Sequence, residues 1–172
     1  MTAEEVLLKY LKDEAIRCEK SLILPRGIKG FVLKHGQFFK PGKLPKPFRY
    51  GPIGYCYCNS HNFLMNHGKR MGLTYVEGYA FSDIAGGSVT IHAWCSDLSG
   101  NVLDRTWREP ALAYFGIPFQ RNYLIEAMRL RSERLGEKAF GILDDWQGDY
   151  PLIKQHGDQP VLWKAQIPGC KL

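Results

Sequence analysis

No stretch of this chain approaches the roughly 20 consecutive apolar residues that a membrane-spanning helix requires. The N-terminus, with Glu4, Glu5, Lys9 and Lys12, lacks the apolar centre of a secretory signal. Cysteine is sparse and odd in number: Cys18, Cys56, Cys58, Cys95 and Cys170. Disulfide-stapled secreted domains favour even sets, so the count argues for a reducing compartment. Internal repeats and low-complexity tracts are missing, as are the signatures of helix-turn-helix, zinc-finger and RRM modules. There is no Asp-rich loop to suggest calcium. The expectation is a soluble, cytoplasmic protein without a membrane partner or a cofactor.

What is present suits one domain spanning residues 1–172. Hydrophobic residues make up 45% and aromatics 13%, enough to build a core and to exclude wholesale disorder. Gly 18 and Pro 10 give loops a large share of the chain. The net charge of +6 fits an anionic partner or substrate. Arg129, Arg131 and Arg134 on one helix, with Lys40, Lys43 and Lys46, offer a basic rim. Any nucleic-acid affinity from such a rim would be sequence-independent and would collapse with salt.

Thr2 and Glu5 have capping-box spacing, and Val6, Leu7, Tyr10, Leu11 and Ala15 follow a helical period, which predicts a helix over 3–19. Glycine and proline punctuate 24–50, leaving Phe31-Val32-Leu33 and Gln37-Phe38-Phe39 as short strands. Ser60, Phe63, Leu64, His67 and Met71 share one face of a helix over 56–71 that Gly72 stops, with His67 toward the core and His61 on the surface. Three strands follow: Leu73 to Phe81, Ser88 to Cys95 and Val102 to Trp107. A helix from Tyr123 to Leu135 leads the C-terminal region 121–172, whose Trp146, Pro151 and Trp163 suggest pieces covering a core edge. Helices segregated from sequential strands argue an α+β fold with an antiparallel sheet.

Cys56 and Cys58 open the 56–71 helix, where unpaired amide N–H groups stabilise a thiolate. They point to different sides, so at most one occupies a site. A nucleophilic thiolate needs a base, and His92 lies within the apolar run Val89-Thr90-Ile91-His92-Ala93-Trp94. The imidazole needs an acceptor to fix its tautomer, and Asp104 lies on the next predicted strand. If Leu98-Ser99-Gly100 is a three-residue hairpin loop with Gly100 in its left-handed position, Asp97 faces Asn101 and Trp94 faces Asp104. His92 and Asp104 are then same-face diagonal neighbours, roughly 7–8 Å apart, within bridging range of two side chains.

Gly54-x-Cys56-aromatic, then Tyr75-Val76-Glu77-Gly78-Tyr79, His92-Ala93-Trp94 and Asp104-x-Thr106 resemble the transglutaminase-like branch of the papain-like cysteine enzymes. The resemblance covers residues 50–107, about a third of the chain. It implies a papain-like core with the nucleophile helix packed on an antiparallel sheet, and a triad of Cys56, His92 and Asp104. It selects Cys56 over Cys58, because an aromatic follows directly and the small Ser60 lies four residues on. It places Tyr50, six residues before the nucleophile, as an oxyanion donor. Arg105 departs from the pattern, which has proline after the aspartate. Tyr114 to Phe119 (Tyr-Phe-Gly-Ile-Pro-Phe) is similar to a segment of short stand-alone bacterial and phage proteins.

The function expected from the resemblance is thiol-dependent acyl transfer or hydrolysis at an amide or ester carbonyl of a protein, peptide or small amide. The alternative is a catalytically inactive basic protein on the same fold that binds nucleic acid or an acidic protein. A zinc site from Cys56, Cys58 and His61, with Cys95 near His92, is disfavoured: Cys-x-Cys is too tight and no second pair completes a tetrahedral set. Glu77, interior to a strand, is expected to be satisfied by an Arg or by backbone. Trp94, Trp107 and Tyr79 are expected as core or site wall.

Overall fold

A computed structural model describes residues 1–19, 28–83, 87–135 and 141–143. Four helices, α1 (Ala3–Glu19), α2 (Ile28–His35), α3 (Cys56–Met71) and α4 (Arg121–Leu135), surround five strands. The strands are β1 (Gln37–Phe39), β2 (Thr74–Ser82), β3 (Ser88–Ser96), β4 (Val102–Leu103) and β5 (Ala113–Phe119). They form one antiparallel sheet in the order β1-β5-β2-β3-β4, so the fold is α+β.

The sheet curls until its outer strands touch. The Lys40 N–H donates to the Gly100 carbonyl and the Val102 N–H to the Lys40 carbonyl, both at 2.9 Å. Alternation along the strands then separates two cores. Inside the curl lie Phe39, Val76, Ala80, Trp94, Val102, Ala111 and Tyr114. Outside, Tyr75, Cys95, Ile117 and Phe119 meet Leu7 and Leu11 of α1, Phe63 and Leu64 of α3, and Leu124 of α4. Gly116 permits the tight curl, since a Cβ there would run into the Trp94 ring and the Glu77 carbonyl.

The capping box forms as expected: Thr2 N–H donates to Glu5 Oε2 at 2.8 Å and Glu5 N–H to Thr2 Oγ1 at 3.2 Å. The boundaries of α1 and α3 match expectation, and α3 ends at a left-handed Gly72 whose N–H returns to the Gly68 carbonyl. Ser60 docks α3 on β3: its hydroxyl donates to the Ala93 carbonyl at 3.0 Å, and the Cys95 thiol donates to the Ser60 carbonyl at 3.3 Å. The hairpin register is the expected one, with Cys95 opposite Leu103, Ser96 opposite Val102, and Gly100 at φ 78°. Asp97 reinforces the turn by accepting from the N–H groups of Ser99 and Asn101, both at 2.9 Å.

Three expectations need correction. Phe31-Val32-Leu33 is helical: it lies in α2, which buries Val32 and is tied to α1 by Lys29 and Glu14 at 2.9 Å. A three-residue apolar run does not distinguish helix from strand, and contact with α1 decides it. The strand expected over Val102 to Trp107 stops at Leu103, because the Asp104 carboxylate turns the chain. β5 was not anticipated as a strand, since Gly116 and Pro118 break its pattern. Pro118 is tolerated because β1 pairs only with Tyr114 to Gly116, so the ladder on that side has already ended. Among the described residues no helix is long and apolar enough to cross a membrane. Cys170, Trp146, Pro151, Trp163 and most of the C-terminal region lie outside the described residues.

Candidate functional site

Cys56 is the first residue of α3, and the preceding Tyr55 supplies no side-chain cap. The N–H groups of the first helical turn therefore keep their partial positive charge beside the sulfur. His92 stands in the middle of β3 on the inner face, opposite Gly78. Its ring is buried, as is Asp104, at 2% exposure each. His92 Nε2 lies 2.7 Å from Asp104 Oδ2, which leaves Nδ1 as the ring nitrogen open to the thiol. Cys56 stands close enough to His92 to help raise its pKa. The structure thus joins His92 to Asp104 and sets the pair beside the helix that Cys56 opens, which Ser60 docks on β3.

Asp104 reaches this position by leaving the sheet. Its Oδ1 accepts from the backbone N–H of Thr106 at 2.7 Å and of Trp107 at 3.3 Å, an Asx-type turn that ends β4. Its Oδ2 accepts from His92 and from the Tyr114 hydroxyl at 3.2 Å. The Tyr114 oxygen in turn accepts the Ala111 N–H at 3.0 Å. Burial and the nearby Asp104 charge push the Tyr114 phenol up, so it stays a neutral donor.

For His92, burial alone would lower the pKa. Hydrogen bonds to Asp104 and Cys56, and then their charges, outweigh it and raise the value to about 9. The carboxylate beside it favours the protonated ring. Trp107 stacks on it at 4.0 Å between centroids and 10° between planes, fixing its orientation.

A second brace joins the nucleophile helix to the Asp104 turn. Buried Asn59, one turn into α3, donates through Nδ2 to Thr106 Oγ1 at 3.0 Å and to the Pro52 carbonyl at 2.9 Å. Arg105 occupies the position where the resembled pattern has proline. Its Nε donates to the Arg49 carbonyl at 2.8 Å, its guanidinium lies 5.4 Å from the Phe63 ring centre, and its own carbonyl accepts the Gly51 N–H at 2.7 Å. The arginine bolts the 105–108 turn to the loop that enters α3.

No family model, no curated protein and no solved structure matches the chain. The geometry is therefore the ground for a functional reading.

The remaining candidates fall elsewhere. The Tyr50 hydroxyl donates to the Arg108 carbonyl at 3.3 Å, so its proton is engaged in joining loops. Cys58 faces Asn62, whose Nδ2 lies 3.3 Å from the sulfur. Cys95 is fully buried, and burial pushes its thiol far up. His67 packs against Phe48 and Phe63, as a core-facing residue should. His61 is half-buried rather than on the surface, and that burial lowers its pKa. Among the described residues no group of three or more His, Cys, Asp or Glu could hold a metal ion. Glu77 is fully buried and satisfied by the Tyr75 hydroxyl and the Ile142 N–H, each at 2.7 Å, and the Leu143 N–H at 2.9 Å.

The expected basic rim is also redrawn. Arg129 is engaged by Glu126 at 2.7 Å and Glu133 at 2.5 Å, and Lys43 pairs with Glu109 at 3.1 Å. The side chains of Arg131 and Arg134 lie outside the described residues. Sequence reading missed Tyr114, Asn59 and the stack of Trp107 on His92. Alternation across Tyr114-Phe115-Gly116-Ile117 was the available signal for Tyr114; Asn59 and Trp107 act through contacts distant in sequence.

Proposed function

We propose that this chain is a thiol-dependent acyltransferase or hydrolase with a transglutaminase-like, papain-type core. The observation that carries the reading is the buried His92, held by Asp104 at 2.7 Å on a strand against which the helix opened by Cys56 is docked. An acceptor that orients a base, and a base beside a helix-tip nucleophile, are the relations that covalent acyl transfer needs.

The Cys56 thiolate attacks an amide or ester carbonyl carbon, forming a C–S bond as the carbonyl π electrons move to oxygen. The oxyanion is held by N–H groups at the start of α3. On collapse the C–N or C–O bond breaks, and the leaving amine or alcohol takes the proton from His92. Water or an amine then adds to the thioester carbonyl as neutral His92 accepts its proton. The C–S bond breaks and the thiolate returns. Asp104 holds the ring through both transfers. Tyr50 contributes to the oxyanion site only if its hydroxyl leaves the Arg108 carbonyl. Free thiols at Cys18, Cys56, Cys58 and Cys95 suit work in a reducing cytoplasm.

The test is alkylation by iodoacetamide at neutral pH, followed site by site by mass spectrometry. Cys56 should react at least about tenfold faster than the other thiols, and His92→Ala should abolish the difference. Uniform slow labelling would instead favour an inactive basic binding protein. Incubation of the active protein with lysate and either a labelled amine or heavy-oxygen water would then separate transfer from hydrolysis.

A further inference from the structure

Around Cys56 the surface combines two properties. The residues leading into α3 carry exposed apolar side chains: Ile53 is 80% exposed and Tyr55 63%. The two bolted loops beside them carry Arg49 and Arg108, both exposed. Their backbone carbonyls do structural work, accepting from Arg105 Nε and the Tyr50 hydroxyl respectively. Among the described residues neither guanidinium forms an ion pair. The acidic residue closest in sequence, Glu109, is already paired with Lys43. Arg108 directly follows Trp107, which covers the His92 ring. The segment leading into α3 therefore pairs exposed apolar side chains with two exposed arginines on the loops bonded to it.

Resting on the acyl-transfer reading, we propose that the acyl donor is a peptide segment carrying an acidic side chain beside an apolar one near the reactive carbonyl. Ile53 and Tyr55 receive the apolar side chain, and Arg49 and Arg108 the carboxylate. Charge complementarity of this kind acts chiefly on encounter and orientation, and is screened by salt.

The test uses two dipeptidyl vinyl sulfones that differ only in Asp against Lys, with Leu at the other position, and reads the second-order rate of Cys56 modification. Iodoacetamide, uncharged, reports the reactivity of the thiol itself. The Asp probe should react about tenfold faster than the Lys probe at low ionic strength. The preference should fall to about threefold or less in 0.5 M salt and in Arg49→Gln/Arg108→Gln. The iodoacetamide rate of that double variant is measured alongside, and both probe rates are divided by it to remove any change in the thiol itself. Equal rates for the two probes, or a preference that survives in the double variant, overturn the assignment while a fast, His92-dependent iodoacetamide reaction leaves the catalytic reading standing. A slow iodoacetamide reaction indifferent to His92→Ala overturns both.

Discussion

Asp104 holds His92 Nε2 at 2.7 Å with one carboxylate oxygen, and with the other caps the turn that ends its own strand. One side chain thus both stops β4 and fixes the imidazole. The carboxylate collects four donors from His92, Thr106, Trp107 and Tyr114, so its position is over-determined before any substrate arrives. Replacing it with Asn keeps the shape but offers an amide N–H where Nε2 requires an acceptor. Asp104→Asn should slow iodoacetamide alkylation of Cys56 at neutral pH by about tenfold or more. A rate equal to the parent's would remove Asp104 from the mechanism.

The raised His92 pKa makes a prediction about stability. Its folded value, about 9, lies above its ordinary 6.5. Its contribution is therefore fully present below about 6.5 and is lost as pH rises through 9. The loss is on the order of 3 kcal/mol by linkage. Urea unfolding at pH 6 and pH 9.5 should show the drop in the parent, and His92→Gln should flatten most of it. Alkylation of Cys56 should lose its imidazolium assistance over the same range. A stability profile of the parent that is flat from pH 6 to 9.5 would contradict the charged pair.

Tyr114 tests whether the inner core serves the site. Its hydroxyl gives Asp104 one charge-assisted hydrogen bond, so Tyr114→Phe should cost about 1.5–3 kcal/mol of stability. It should also shift the pH at which Cys56 reactivity falls, because one donor to the partner of His92 is gone. A purely structural role would lower stability and leave that pH profile in place.

What could be read from the chain alone followed the range of the forces involved. Thr2 with Glu5, the apolar face of Phe63 and Leu64, and Gly100 in the hairpin turn each act within a few residues, and each is placed as expected. That local turn chemistry set the register that puts His92 and Asp104 on one face. Sequence patterns fail where distant contacts decide the outcome. Phe31 to Leu33 is helical because α1 packs beside it, and Pro118 sits in a strand because β1 has already ended. The Asp104 turn was hidden for a different reason: a carboxylate competing with the ladder for N–H groups looks, in sequence, like one more residue in an alternating run. Arg129 looked available for a partner until its two neighbouring glutamates were seen to hold it.

The brace from Asn59 to Thr106 couples the nucleophile helix to the histidine-holding turn. Asn59→Ala would leave the Pro52 carbonyl and the Thr106 hydroxyl without this donor in a buried setting. The expected cost is about 1–3 kcal/mol. Cys56 reactivity should fall more than in Arg105→Met, which loosens the outer bolt and leaves the Asn59 brace in place. Alkylation rates of the two variants, measured where both remain folded by circular dichroism, check the ordering.

Glu77 is the last buried carboxylate of consequence, and its role is to hold chain rather than substrate. Both oxygens accept backbone N–H groups from Ile142 and Leu143, and the Tyr75 hydroxyl shares the first. Burial, followed by the Glu77 charge, drives the Tyr75 phenol well above its usual range, so Tyr75 remains a donor. Glu77→Gln would turn an NH2 group toward one of these donors, replacing an attraction by a clash in a dry environment. The expected loss is about 2–3 kcal/mol, from a charge-assisted bond and the stranded donor together. Hydrogen exchange should locate it: the amides of Ile142 and Leu143 should lose protection first, while those of α1 keep theirs until global unfolding. Equal protection of Ile142 and Leu143 in parent and variant would show that their burial, at 2% and 0% exposure, anchors the segment without the carboxylate.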